Sequence, residues 1–159
     1  MSLRKMVLVG AAVGCLSMVV GCRGHKPTAS DLYNDNAAVD ASLPYPVMDW
    51  RALSSSADRE AMTTATLFGN DTAIAAARSG QAYTTGAVLG LVTWRQKEDA
   101  HWFGGRIPDG PVAVEFVAFG PGAMPVYRHF AGTPMVEQAD SGGVARVAVI
   151  EGMKAARLP

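Results

Sequence analysis

Both cysteines of this 159-residue chain, Cys15 and Cys22, lie near its start, and none follows Cys22. Whatever folds downstream therefore has no disulfide, no thiolate metal site, no cysteine nucleophile and no Cys-x-x-Cys-His segment. Its stability has to come from a hydrophobic core, for which 49% hydrophobic residues are available.

The residues around those cysteines predict a compartment. Arg4 and Lys5 precede an apolar run from Met6 to Val20, and Val19-Val20-Gly21 stands immediately before Cys22. A short positive region followed by an apolar stretch, shorter than the about 20 residues a membrane span needs, has the layout of a bacterial secretory signal. A small residue directly before a cysteine resembles the lipobox of bacterial lipoproteins, in which Cys22 is diacylated and becomes the mature N-terminus. Val20 stands where alanine or serine is commoner. The alternative is ordinary cleavage with Cys22 left as a free thiol, a liability in an oxidising space. The expectation is a signal peptide over residues 1–21 and a lipid-anchored protein of the bacterial cell envelope, facing the periplasm from the outer membrane.

Without its signal the chain keeps 138 residues, enough for one domain with a proper core. Past residue 21 it has 12 basic and 14 acidic side chains and no clustered basic face, which excludes nucleic acid as the expected partner. The partners left are the membrane, through the anchor, a small molecule, or other proteins.

Residues 22–43 are small and polar, with Gly24, Pro27, Ser30, Asn34, Asp35 and Asn36, and read as a tether in which Asp31 to Asp40 could form a short helix. Pro44-Tyr45-Pro46 opens the domain, 44–159, in extended form. Val47 to Arg51 reads as a short helix or turn whose Trp50 plugs the core, and Ser54-Ser55-Ser56 with Asp58 as a loop or helix cap. Met62 to Phe68 alternates threonine with apolar residues, as a strand does. Asn70 and Asp71 can cap a helix over Thr72 to Arg78, which Gly80 ends. Ala87 to Trp94 is apolar enough for a central strand buried on both faces. Arg95 to Ile107 reads as a solvated loop, its His101-Trp102-Phe103 cluster either closing the sheet's edge or walling a pocket. Pro108-Asp109-Gly110-Pro111 signals a turn. Val112 to Phe119 and Val126 to Phe130 read as a hairpin, and Val144 to Ile150 as a last strand. Glu151 to Leu158 reads as a fraying end or a short helix. The sum is an α+β domain, an antiparallel β-sheet of about five strands with one or two packed helices.

The order Tyr45-x4-Trp50-Arg51, a threonine-rich strand, Gly69-Asn70 with an alanine-rich helix, and a Gly86-Ala87-Val88-Leu89 strand ending at Trp94 resembles the cytochrome P-460 family. The later hairpin and the final strand extend the likeness over Pro44 to Ile150. The resemblance implies the fold just described and a periplasmic haem protein, an oxidoreductase acting on hydroxylamine or a binder of nitric oxide, usually a homodimer. It also implies haem attached through a Cys-x-x-Cys-His segment and, in the enzymes, a lysine bonded to the porphyrin. This sequence departs from both. No cysteine follows Cys22, Phe119 to Tyr127 holds no lysine, and the lysines past the signal are Lys26, Lys97 and Lys154. No haem-binding residue of the family carries over.

Four residues remain as candidates, Glu115 for catalysis and His101, His129 and Trp102 for binding a cofactor. His101, beside Trp102 and Phe103, could ligate a non-covalent haem, or it is a loop histidine bonded to backbone or water. His129, which shares a strand face with Tyr127, has the same two readings. An isolated histidine is a poor metal signal, and no metal site is expected. Glu115, the one ionisable group in its strand, would be a general base with a raised pKa if buried, or else a solvent-facing partner of Arg128 across the hairpin. The methionines at 48, 62, 124, 135 and 153 form no copper-type cluster. The expected function is a lipid-anchored, haem-free relative of cytochrome P-460 that binds a small ligand or serves as an accessory protein. The alternative is a redox enzyme or gas sensor with non-covalent haem, and a structural envelope lipoprotein stands as the third reading.

Overall fold

Apolar residues alternating with polar ones from Arg51 onward pair into a single antiparallel meander. Its strands are β1 (Arg51–Asp58), β2 (Thr63–Gly69), β3 (Val88–Glu98), β4 (Arg106–Ala118), β5 (Val126–Ala131) and β6 (Val136–Gln138), and they lie in the sheet in chain order. Helix α1 (Asp71–Ser79) joins β2 to β3, and α2 (Gly143–Gly152) follows β6. The computed structural model describes Thr28 and residues 33–122, 124–139 and 142–155. The signal peptide, Cys22 and most of the expected tether lie outside these residues. The chain divides into two units, Met1–Tyr33 and Asn34–Pro159. Only Thr28 and Tyr33 of the first are described, and the fold concerns the second.

The pleat sorts the core into two layers. On one face Leu67, Leu89, Leu91 and Val117 meet Ala73 and Ile74 of α1 and Ile150 of α2. On the other, Val92, Trp94, Val114, Phe116 and Phe130 are covered by the N-terminal segment through Ala37, Val39, Leu43, Tyr45 and Val47. The alternation of period two that separates these sets along β3 is what buries both sides of that strand. Asn34–Leu43, expected within the tether, is therefore part of the packed domain. The Trp94 indole N–H donates to the Ala37 carbonyl at 2.9 Å, which pins that segment to the sheet. Trp50 packs on Tyr45 and Phe116, at 5.9 and 6.4 Å between ring centres.

Local signals hold at α1. The Asn70 side chain accepts from the Ala73 N–H at 3.0 Å, and Gly80, at φ 68°, closes the helix in the left-handed conformation. The same Asn70 side chain accepts from the Val88 N–H and donates to the Gly86 carbonyl, so one residue caps the helix and sets where β3 begins.

Four segments differ from expectation. The serine triplet forms β1, an edge strand whose Ser55 and Thr66 hydroxyls lie 3.0 Å apart. A polar outer strand is a common way to protect a sheet edge. Arg95 to Glu98 and Arg106 to Pro111 extend β3 and β4 into a long hairpin, leaving a loop only over residues 99–105. Pro108 and Pro111 are tolerated there because β5 pairs with β4 only over Ala113–Ala118, so this half of β4 has a neighbour on one side. Val144 to Ile150 is helix α2, not a strand. Its Val147 and Ile150 pack on the core while Val144 and Val149 are exposed, a spacing that follows the helical period. Finally, the short β6 brings the sheet to six strands.

Candidate functional site

Residues Leu67, Leu91, Glu115 and His129 stand opposite one another in a row across β2, β3, β4 and β5, on the helix-covered face. Glu115 is thus placed by strand register in the layer that α2 covers, and it is 5% exposed. One turn of α2 brings Arg146 over it. Arg146 Nε and Nη2 donate to the two Glu115 oxygens at 2.6 and 2.7 Å. The Tyr127 hydroxyl donates to Oε1 at 2.6 Å. Three short bonds on one carboxylate make a charge-assisted, bidentate cluster with fixed geometry.

Burial pushes the Glu115 carboxyl upward, but the hydrogen bonds from Arg146 and Tyr127, with the charges of Arg146 and His129, pull harder and leave its pKa below the ordinary value. Both sequence readings of Glu115 are corrected. It is buried, its pKa is lowered rather than raised, and both its oxygens are engaged by donors. Its partner is Arg146 rather than Arg128. Arg128 stands on the opposite face, opposite Phe116, and pairs with Glu137 at 2.7 and 2.8 Å. Among the described residues, every buried side-chain nitrogen and oxygen has a hydrogen-bond partner.

Tyr127 also borders a groove of about 400 Å³ between α2 and the connection from β4 to β5. Its walls are Met124, Pro125, Val144, Val147 and Ala148, and Glu151 brings a carboxylate to it. Pro125 and Glu151 are shared with a second cavity of about 410 Å³, bordered by Tyr83, Thr84, Thr85 and Phe119. Burial, and then the Glu151 charge, raises the Tyr83 pKa, so its hydroxyl stays protonated. The two hollows adjoin at Pro125 and Glu151, the first apolar around Val144 and Val147 and the second bordered by the hydroxyl-bearing Tyr83, Thr84 and Thr85. A mostly apolar concavity with few polar groups is what a small-molecule site needs. The signal that could have found it is the spacing of Gly143, Val147 and Ile150, which marks a helix face and places Arg146 beside it.

The other candidates are not brought together. His101 lies at the tip of the β3–β4 hairpin with its side chain 88% exposed, its backbone N–H donating to Asp99 at 2.8 Å. Trp102 is 74% exposed and Phe103 fully so. The cluster therefore neither walls a pocket nor closes the sheet's edge. His129 sits beside Glu115, and no histidine lines the two hollows along α2. Among the described residues no group of three His, Cys, Asp or Glu side chains could hold a metal ion. An axial haem ligand would have to be an imidazole, thiolate, thioether or phenolate in the groove. Met124 and Tyr127 are the groove's candidates of these kinds, and the Tyr127 hydroxyl is committed to Glu115. The residues present fit haem poorly.

An α+β domain made from one antiparallel meander, with a helix locked to its face over a ligand-sized groove, is the class that fold and site define. Residues 44–121 match the family model for cytochrome P460, and the chain carries a cytochrome P460 family domain. No curated protein matches it. The matched span runs through α1 and β4 and stops before Tyr127 and α2, so every residue that borders the groove lies beyond it.

Proposed function

We propose that this is a lipid-anchored protein of the periplasmic envelope whose cytochrome P460-like domain binds a small molecule along α2, as an accessory protein without covalent haem. The observation that carries this reading is the Glu115–Arg146–Tyr127 cluster, which fixes α2 over the sheet and leaves an apolar groove beside it. The ligand it suits has an apolar body against Val144 and Val147 and a cationic or donating group facing Glu151. Localisation rests on Arg4, Lys5, the apolar run and Gly21-Cys22.

Benzylamine is a simple probe of that chemistry. Titrated into the purified, isotope-labelled protein, it should shift the amide resonances of Val144, Val147 and Glu151 saturably, and Val147→Trp, which fills the groove, should abolish the response. Shifts scattered over the surface, or unchanged by Val147→Trp, would refute the site. Flotation of the chain with membranes, lost in Cys22→Ala, tests the anchor.

A further inference from the structure

We propose that the tip of the β3–β4 hairpin, Trp102 and Phe103, is a membrane-interface contact that seats the domain on the bilayer carrying its anchor. The proposal rests on the lipid-anchor reading and adds to it an orientation and a contact surface.

The tip is built rather than loose. The Asp99 N–H donates to the Gly105 carbonyl at 3.0 Å, the Gly105 N–H donates to the Trp102 carbonyl at 2.8 Å, and Asp99 accepts from the His101 N–H. Gly104, at φ 74°, adopts the left-handed conformation that closes the turn. The hairpin therefore presents two large aromatic side chains, Trp102 74% and Phe103 fully exposed, in a held geometry. Water is a poor partner for that surface, whereas tryptophan favours the headgroup boundary of a bilayer.

The chain's path selects the bilayer as the occupant. The packed domain begins at Asn34, whose side-chain amide donates to the Pro108 carbonyl. Pro108 stands opposite Gln96, close below the closing pair Glu98 and Arg106 of the hairpin. The packed domain thus begins at the hairpin's end of the sheet, the end away from α1. Fully extended, the stretch from Cys22 to Asn34 reaches at most about 40 Å. A lead of at most that length brings a lipid on Cys22 within reach of that end of the sheet. The β1–β2 turn lies at the same end, the Gln96 N–H donating to the Met62 carbonyl at 2.8 Å, and it presents the part-exposed Met62 beside the hairpin.

The test uses the full-length chain, processed in a bacterial host and reconstituted in phosphatidylethanolamine–phosphatidylglycerol vesicles whose acyl chains carry bromine. Bromine quenches tryptophan only at close range, and Trp50 and Trp94 are packed on the sheet. Quenching is expected in the parent protein and should be largely lost in Trp102→Ala. Intact mass reads the Cys22 lipid independently. A lipidated protein without quenching, or with quenching that persists in Trp102→Ala, overturns the contact and leaves the anchor standing. An unlipidated Cys22 overturns the anchor, and the tip contact falls with it. Benzoylphenylalanine placed at Phe103 in cells should crosslink to lipid, and a crosslink to a protein would overturn the proposal in favour of a protein partner.

Discussion

The Arg146 guanidinium on α2 grips both oxygens of Glu115 in the sheet at 2.6 and 2.7 Å, across 31 positions of sequence. One side of this pair is buried and the other is not, since the Arg146 side chain is 41% exposed. Removing Arg146 leaves an ionised carboxylate under the helix with only Tyr127 as donor. Breaking a buried pair costs about 3–5 kcal/mol, and the exposure of Arg146 lowers the expectation for Arg146→Ala to about 2–3 kcal/mol. Replacing the whole cluster, as Glu115→Leu with Arg146→Met and Tyr127→Phe, should come within about 1 kcal/mol of the parent, because the buried carboxylate leaves together with the donors it holds. Urea denaturation of the two variants checks the contrast.

The same cluster gives the domain an acid-sensitive component. Glu115 has a folded pKa below its unfolded value, so the unfolded chain binds the proton more readily. Its stabilisation is complete above the unfolded pKa of about 4.3 and is lost as pH falls through that value toward the folded one. Arg146 stays charged over this range. Urea midpoints taken from neutral pH down to about pH 3 should fall for the parent protein and fall less steeply for Arg146→Met. Parallel slopes would show that other carboxylates control the acid transition.

The sequence exposed Glu115 because a carboxylate inside Val112 to Phe119 interrupts an otherwise apolar run. It did not expose the partner. Val144-Ala145-Arg146-Val147-Ala148-Val149-Ile150 alternates well enough for a strand, which competes with the helical spacing of Gly143, Val147 and Ile150, and packing of Val147 and Ile150 on the core decides for helix. Arg128 seemed the natural mate because it lies in the neighbouring strand, but register puts it opposite Phe116 and on the other face. The capping of α1 by Asn70 and Gly80 was readable because it is local chemistry. Pro108-Asp109-Gly110-Pro111 misled for the converse reason. Its turn propensity is local, while its place in β4 depends on which side of that strand lacks a neighbour. The groove beside α2 was hidden for as long as α2 itself read as a strand.

Gly90, in the middle of β3, marks how closely the N-terminal segment packs. A methyl group added there would lie 2.6 Å from Val47 Cγ2 and 3.2 Å from Phe116 Cε1. Neither neighbour has room to withdraw, since both are fully buried in the same layer. Gly90→Ala should cost about 1–3 kcal/mol, the range for overpacking a filled core. The strain falls first on Val47, whose segment is held by fewer backbone bonds than the sheet. Limited proteolysis should therefore cut within residues 34–50 of the variant faster than in the parent, and the double variant Gly90→Ala with Val47→Ala should recover part of the loss. Equal cutting rates would place the strain elsewhere.

Haem chemistry is the reading most directly at odds with the groove's residues. Hydroxylamine or nitric oxide chemistry at iron needs an axial ligand and a pocket for the macrocycle, and the hollows along α2 are bordered by no imidazole. His129 stands in the row beside Glu115, with α2 over that carboxylate. His101 projects into solvent at the hairpin tip. Purified full-length protein titrated with haemin should therefore show no saturable Soret shift, and His129→Ala should leave the spectrum unchanged. A sharp Soret band that forms in the parent and disappears in His129→Ala would mean that α2 moves aside to admit a porphyrin. The redox reading would then replace the accessory one. A band lost instead in His101→Ala would place the haem at the hairpin tip and exclude a bilayer contact there, so one titration also bears on how the domain meets its membrane.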